Sequence, residues 1–343
     1  MKKLLSIVLV VSLILAVLAG CAKKSSGGAQ QDASKSAESI TYAIKAATSN
    51  SPPHPYVQGL DKLAELLDKK SNGRIKLDVF HSAQLGSERD IVEGLQLNTI
   101  QFAFITSAPL SGFTDAYNVF DLPFLFESVE EARKFCDSDF GLEILASLED
   151  KGIIGLGFGE NGMRHITNSK RPIVVPADLR GIKIRTMENP IHMEAFRVMG
   201  ADPTPMAFGE LFTALQQKAI DAEENPYVVI HSSKFYEVQE FLSVTGHLYS
   251  PAPLLMSKIF YDSLPADLQK LVREIGIEAR DFQRSVCDEQ SAKLLAELEK
   301  EGMKVNVINV APFVAATKPV YDKYIGNMIP QKAYDAVKRI LNK

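Results

Sequence analysis

The chain has 343 residues, 46% apolar and 23% charged, with a formal net charge of −4. That composition excludes collagen-like, disordered and polytopic membrane classes, and the acidic balance excludes a nucleic-acid partner held by counterion release. Its three cysteines are too few for a disulfide scaffold, and its length suits about two domains with a large core.

Residues 1–20 predict a secretory signal peptide. Met1-Lys2-Lys3 is charged, Leu4 to Leu18 is apolar, and the run is shorter than the roughly 20 residues a comfortable membrane span needs. Leu18-Ala19-Gly20-Cys21 resembles the bacterial lipobox, which implies a lipid on Cys21 as the first mature residue. Ala22 to Ser39 is Lys-, Ser-, Gly- and Ala-rich without apolar periodicity, so 21–39 reads as a lipidated cysteine and a flexible tether. The folded part is expected outside the cytoplasm, held at a membrane by its anchor. Cys136 and Cys287 then remain, and they read as two unpaired buried thiols.

Strand and helix patterns alternate beyond the tether. Ile40 to Thr48 is β-rich, and Val57 to Lys69 carries Leu60, Leu63, Leu66 and Leu67 at helical spacing. Arg74 to Phe80 alternates as a strand, Glu88 to Leu97 predicts a helix, and Ile100 to Ile105 another strand. This order indicates an α/β domain with a largely parallel sheet. Gly152 to Phe158 reads as one more buried strand, and a second α/β pattern starts near Arg164. It contains the strand Ile182–Arg185, helices over Ile191–Met199 and Phe208–Ile220, and a strand at Phe241–Thr245. Pro253–Ser257 reads as a strand rejoining the first domain. Pro265 to Glu301 predicts one helix on the order of 50 Å long, interrupted only by Gly276. The expected fold is α/β in two lobes, 40–161 plus 251–290 and 162–250 plus 291–343, joined by that helix.

Two helix starts, Asn189-Pro190 and Asn225-Pro226, combine a favoured N-cap with a favoured first helical residue. Such starts present free N–H groups and a positive dipole end, which suits an anion. Arg185 ends its strand on the face opposite Ile182 and Ile184. The carboxyl end of a strand is where open α/β sheets bind ligands. A guanidinium there can take a carboxylate through two parallel hydrogen bonds.

Several motifs resemble those of a known family. They are Asp178-Leu179-Arg180-Gly181-Ile182-Lys183-Ile184-Arg185, Gly200-Ala201-Asp202-Pro203-Thr204-Pro205-Met206-Ala207-Phe208-Gly209-Glu210 and Asp221-Ala222-Glu223-Glu224-Asn225-Pro226. Ser82-Ala83-Gln84-Leu85-Gly86-Ser87-Glu88, Leu122-Pro123-Phe124 and Gly162-Met163-Arg164 join them. Together, from about Thr41 to the C-terminus, they resemble the DctP-like solute-binding receptors of tripartite ATP-independent periplasmic (TRAP) transporters. The resemblance implies a periplasmic-binding-protein-like fold whose lobes close on a small organic acid and deliver it to the TRAP permease subunits in the membrane. It implies that Arg185 clamps the ligand carboxylate, that Arg164 is a second cleft arginine, that Asn225 hydrogen-bonds the ligand and that Phe208 packs on it. Glu88, Thr106 and His54 fall where first-lobe contacts occur in relatives.

Each residue also has a plainer role open to it. Arg164 could pair with Glu160 or Glu188, Asn225 could only cap its helix, and Phe208 could be a core aromatic. Glu88 could cap its own helix, and His54, between two prolines, reads as an exposed loop histidine. Sialic-acid receptors of the family carry a glutamate where this chain has Thr106-Ser107 and a glutamine at Glu223, which argues against sialic acid. Glu88 and Glu223 would repel a second carboxylate, so a sugar acid such as a uronate is favoured over a C4-dicarboxylate.

Enzyme signals are absent or incomplete. Gly157-Phe158-Gly159-Glu160-Asn161-Gly162 matches the dinucleotide fingerprint in letters, but no amphipathic helix opens at the glycines. It reads instead as a crossing between lobes. The six histidines show no metal spacing, there is no Gly-x-Ser-x-Gly elbow, and adjacent Glu223 and Glu224 make a poor acid–base pair. The sequence therefore predicts a receptor without catalytic residues, cofactor or metal.

Overall fold

The computed structural model describes residues 40–343, so the signal peptide, Cys21 and the tether lie outside it. The first strand, β1 (Tyr42–Ala47), leads into α1 (Pro55–Lys70), which buries Leu60, Leu63, Leu66 and Leu67. β2 (Ile75–Phe80) pairs parallel with β1. Ser87 and Asp90 close a capping box that starts α2 (Glu88–Gln96), and β3 (Phe102–Phe104) adds to the other side of β1. Two short helices follow, α3 (Val129–Cys136) and α4 (Asp139–Ala146).

The next strand, β4 (Ile153–Asn168), runs for 16 residues. β5 (Lys183–Thr186), α5 (Pro190–Val198), β6 (Asp202–Pro205), α6 (Phe208–Gln216), β7 (Ala222–Asn225) and α7 (Tyr227–Ser232) build the second lobe. β8 (Phe241–Ser257) then returns over 17 residues, followed by α8 (Lys258–Ser263), α9 (Ala266–Lys300), β9 (Lys304–Val307), α10 (Ala311–Tyr324) and α11 (Gln331–Leu341).

All strands form one sheet, ordered β2-β1-β3-β8-β4-β7-β5-β6, with β9 on β8. The flanks are parallel, but β8 and β4 run antiparallel to each other and to their neighbours β3 and β7, so the sheet is mixed rather than largely parallel. β4 and β8 are each one long strand where the sequence pattern gave the first only as Gly152–Phe158 and the second as two separate pieces. Their glycines and prolines interrupt the apolar alternation. Register shifts at Gly155/Gly157, Glu160/Gly162 and Arg164/Ile166 absorb the extra residues while the ladder continues. The ribbon thereby carries the backbone through both lobes, the crossing expected of the Gly157–Gly162 stretch.

The long helix spans both lobes as expected. Leu268, Val272, Ile275 and Ala279 of α9 join the core of the first lobe, while Cys287, Leu294 and Leu298 join the core under α6 and α7. Cys136 and Cys287 are free and buried. The C-terminal helices depart from the simple division expected at 291–343. Val320 of α10 and Ala333, Ala336 and Val337 of α11 share a core with Phe120 and Phe135, while Phe313 of α10 joins Ile184 and Phe196 in the second lobe's core, so α10 bridges the lobes and α11 packs on the first lobe's helical layer.

A fully buried glutamine ties α9 to the ribbon. Glu160 faces Pro251 across the ladder; proline has no N–H to give, and its carbonyl accepts from Ser107 N (3.1 Å). Gln283 supplies what is missing: its Oε1 accepts from Glu160 N (2.8 Å) and its Nε2 donates to Glu160 O (2.7 Å). Gly59 and Gly159 make room for it, since a Cβ at Gly159 would lie 2.6 Å from Gln283 Oε1 and 3.0 Å from the Ala252 carbonyl oxygen. Gly159→Ala is therefore expected to cost about 1–3 kcal/mol through overpacking against backbone that cannot retreat. Chemical denaturation measures it, and an unchanged midpoint would show that the crossing has slack.

Candidate functional site

A small cavity, about 20 Å³, lies where the two lobes meet the ribbon. The first lobe contributes Ser49, Asn50, Glu88 and Thr106, the second Arg185, Met187, Phe208, Asn225 and Val229, and β4 itself Asn161 and Arg164. Six of the seven residues singled out for ligand contact are thus brought together. The seventh is not: His54 is buried, accepts from Tyr56 N through Nδ1 (3.1 Å) to cap α1, and stacks edge-on to the Tyr56 ring. It is no exposed loop residue, and burial lowers its pKa to about 3.

Arg185 is placed by the parity of β5, where Lys183 is exposed, Ile184 enters the core and Arg185 turns into the cavity. It is the penultimate strand residue, since Thr186 continues the pairing with β6. Its Nε donates to Met206 O (2.9 Å), and among the described residues no protein atom accepts from its two terminal nitrogens. Only 3% of the residue is exposed. Burial lowers the guanidinium pKa to about 10, with Glu224 and Glu88 opposing from a distance, so it stays charged at neutral pH without a carboxylate against it.

Arg164 is also fully buried, but it is neutralised. Neither Glu160 nor Glu188 is its partner: the β4–β7 register sets Glu224 opposite Ile166, and Glu224 takes Nε (2.5 Å) and Nη2 (2.8 Å) through both carboxylate oxygens. Nη2 also donates to Asn225 Oδ1 (3.0 Å), while Nη1 has no partner among the described residues. Burial alone would raise the Glu224 carboxyl, but Arg164 and His247 outweigh it and hold it below the usual carboxylate range. Glu160 instead meets Arg133 Nε (2.6 Å), and Asp288 grips the same guanidinium at both ends.

Asn225 does not cap α7. The cap is Pro226, and the Asn225 amide donates to Glu223 Oε2 (2.5 Å) while accepting from Arg164. Asn189 does cap α5, accepting from Ile191 N and His192 N, but its amide nitrogen is spent on Asp121 (2.8 Å), and α5 is absent from the cavity wall. Helix starts are not what the site presents to a ligand. Ser87 and Asp90 do the capping at α2, which frees the Glu88 carboxylate to accept from Thr106 N (2.8 Å) and Oγ1 (2.5 Å). Phe208, first residue of α6, lines the cavity and meets Phe235 edge-on. Asn161 escaped sequence reasoning because its glycine-rich surroundings drew attention to the backbone. Its position in a β-crossing between lobes, two residues after Gly159 and directly before Gly162, was the available signal.

Glu223 and Glu224 do point apart, and neither lines the cavity. Among the described residues no cluster of three or more His, Cys, Asp or Glu is placed to hold a metal.

Residues 46–327 match the family described as bacterial extracellular solute-binding protein, family 7, or DctP. The chain belongs to this family of TRAP solute-binding proteins. It is 38% identical over 244 residues to the 2,3-diketo-L-gulonate-binding periplasmic protein YiaO of Escherichia coli strain K12, covering 71% of this chain and 74% of that one. A TRAP periplasmic solute-binding protein from Polaromonas sp. JS666, bound to D-erythronate, superposes with a TM-score of 0.84 at 38% identity, covering 88% of this chain and 98% of its own. Another from Bordetella bronchiseptica, with density assigned to pantoate, gives 0.84 at 39% identity, covering 87% and 99%. The chain is thus a two-lobed extracytoplasmic receptor of a transport family that binds small organic acids.

Glu223 offers a test of the site's electrostatics. It is buried and accepts from Thr167 Oγ1 (2.5 Å), and burial pushes its carboxyl from 4.5 up to about 7. Because the folded value lies above the unfolded one, its contribution to stability is complete below about pH 4.5 and disappears as pH rises through 7. Glu223→Gln keeps the site neutral, so it should lose less melting temperature than wild type between pH 5 and 8. Parallel curves would show that Glu223 is buried as an anion.

Proposed function

We propose that the receptor captures a sugar acid, a hydroxylated monocarboxylate, in the closed cleft and hands it to TRAP permease subunits. The observation that carries this reading is Arg185, a buried guanidinium that lines the cavity and whose two terminal nitrogens have no acceptor among the described residues. A ligand carboxylate would supply the missing countercharge through a bidentate pair. Arg164 would then offer Nη1, and Asn225, Glu88 and Thr106 would meet hydroxyl groups beside Phe208.

Charge balance favours one carboxylate over two. Arg164 is offset by Glu224, and Glu88 stands on the opposite wall, so Arg185 is the cavity's one uncompensated cation among the described residues. A C4-dicarboxylate would bring a second charge to a site with nothing left to neutralise it. The D-erythronate and pantoate complexes and the diketogulonate-binding relative support the same choice, each naming a monocarboxylate that carries further oxygens.

A thermal-shift screen with D-erythronate, pantoate, D-galacturonate and succinate should raise the melting temperature with concentration for a hydroxylated monocarboxylate and least for succinate. Arg185→Ala should weaken the best ligand by about 2–5 kcal/mol in calorimetry, roughly 30-fold or more. Unchanged affinity in that variant, or succinate at the head of the screen, would overturn the reading.

Membrane attachment belongs to the same proposal and rests on Leu18-Ala19-Gly20-Cys21. Cys21→Ser should move the mature protein from the membrane fraction to the soluble one, with loss of lipid mass at the N-terminal peptide. Retention of the variant on the membrane would point to an uncleaved anchor.

A further inference from the structure

We infer that Asn161 is a specificity-determining residue of the cleft, reading a ligand hydroxyl close to the carboxylate that Arg185 holds. The inference rests on the sugar-acid reading above and adds the residue that makes hydroxylation a requirement. Asn161 is 1% exposed and lines the cavity, yet among the described residues its Oδ1 has no hydrogen-bond partner and no group accepts from its amide nitrogen. Buried side-chain amides are normally satisfied, so one left open on a cavity wall marks where a ligand completes the bonding. A hydroxyl suits it best, because it can donate to the carbonyl end and accept from the nitrogen end. A second carboxylate could use only the nitrogen, leaving Oδ1 desolvated and unpaired.

Its setting argues against an asparagine kept only for a turn. The neighbouring Glu160 backbone is clamped at both N–H and C=O by Gln283, and the Asn161 carbonyl lies 3.8 Å from Cys287 Sγ on the same helix. α9 therefore fixes the backbone on both sides of the amide without using the side chain. Asn161 also stands within the Glu160/Gly162 register shift, where the ribbon leaves one lobe for the other. Bonding there joins hydroxyl recognition to the crossing itself. Arg185 and Asn161 line the same small cavity, so the two groups reach atoms of one small ligand.

The test compares D-erythronate with butanoate, which has the same chain length and charge but no hydroxyl, in wild type, Asn161→Ala and Asn161→Ser. Affinities come from calorimetry, with butanoate measured by displacement, and melting temperatures of the ligand-free variants confirm folding. Wild type should prefer D-erythronate by tenfold or more. Asn161→Ala should lose most of that preference through weaker D-erythronate binding while butanoate binding stays within about twofold, and Asn161→Ser, which keeps a hydroxyl, should fall between. A preference that survives intact in folded Asn161→Ala overturns the inference and leaves the sugar-acid reading standing. Equal loss of both ligands assigns Asn161 a structural role and overturns it too. Absence of D-erythronate binding to wild type, with pantoate and D-galacturonate also inert, overturns the sugar-acid reading and this inference with it.

Discussion

Arg185 is a cation taken out of water without a countercharge, and the rest of the cleft is arranged around that imbalance. Desolvating a guanidinium is costly unless its hydrogen bonds are met, yet here a single backbone carbonyl, Met206 O, is what the protein offers. On the proposed reading, the energy withheld in the free protein would be available to an anion on binding, and closure of the lobes would be coupled to ligand charge. Arg164 shows the contrast within the same site. Bound on two sides by Glu224, which His247 flanks, it is already neutralised and has only Nη1 unpartnered among the described residues.

Much of this was legible beforehand, for identifiable reasons. Helix α9 was visible because a helix that buries one stripe along its length repeats its apolar residues at three and four, and two cores do not disturb that period. Arg185 was visible because strand parity placed it opposite Ile184, and because the surrounding motif resembles a receptor family. The partner of Arg164 was not visible. The sequence offered Glu160 and Glu188, whereas the actual partner, Glu224, is set by the register of β4 on β7, a property of pairing that no local pattern records. His54 was misjudged for a related reason: two flanking prolines suggest an exposed loop, but the imidazole replaces a serine-type cap on α1 and is covered by the Tyr56 ring.

The continuity of β4 and β8 was hidden by the very residues that make it useful. Glycines at 155, 157, 159 and 162 and prolines at 251 and 253 look like strand ends. In the fold they admit bulges, give Gln283 space and leave the Glu160 backbone without a ladder partner. The rule that glycine and proline end strands fails here because α9 supplies the missing bonds from outside the sheet.

β4, β8 and α9 pass between the lobes side by side, α10 and α11 return across the same division, and Gln283 fastens the long helix to the ribbon at the shared waist. A single strap would let one half swivel freely about the other; several straps pinned at one level leave little besides bending. Such a body behaves as a pair of tongs, with one coordinate separating empty from loaded. Any membrane partner able to feel the distance between the jaws could then tell, without touching the cargo, whether the receptor has something to deliver.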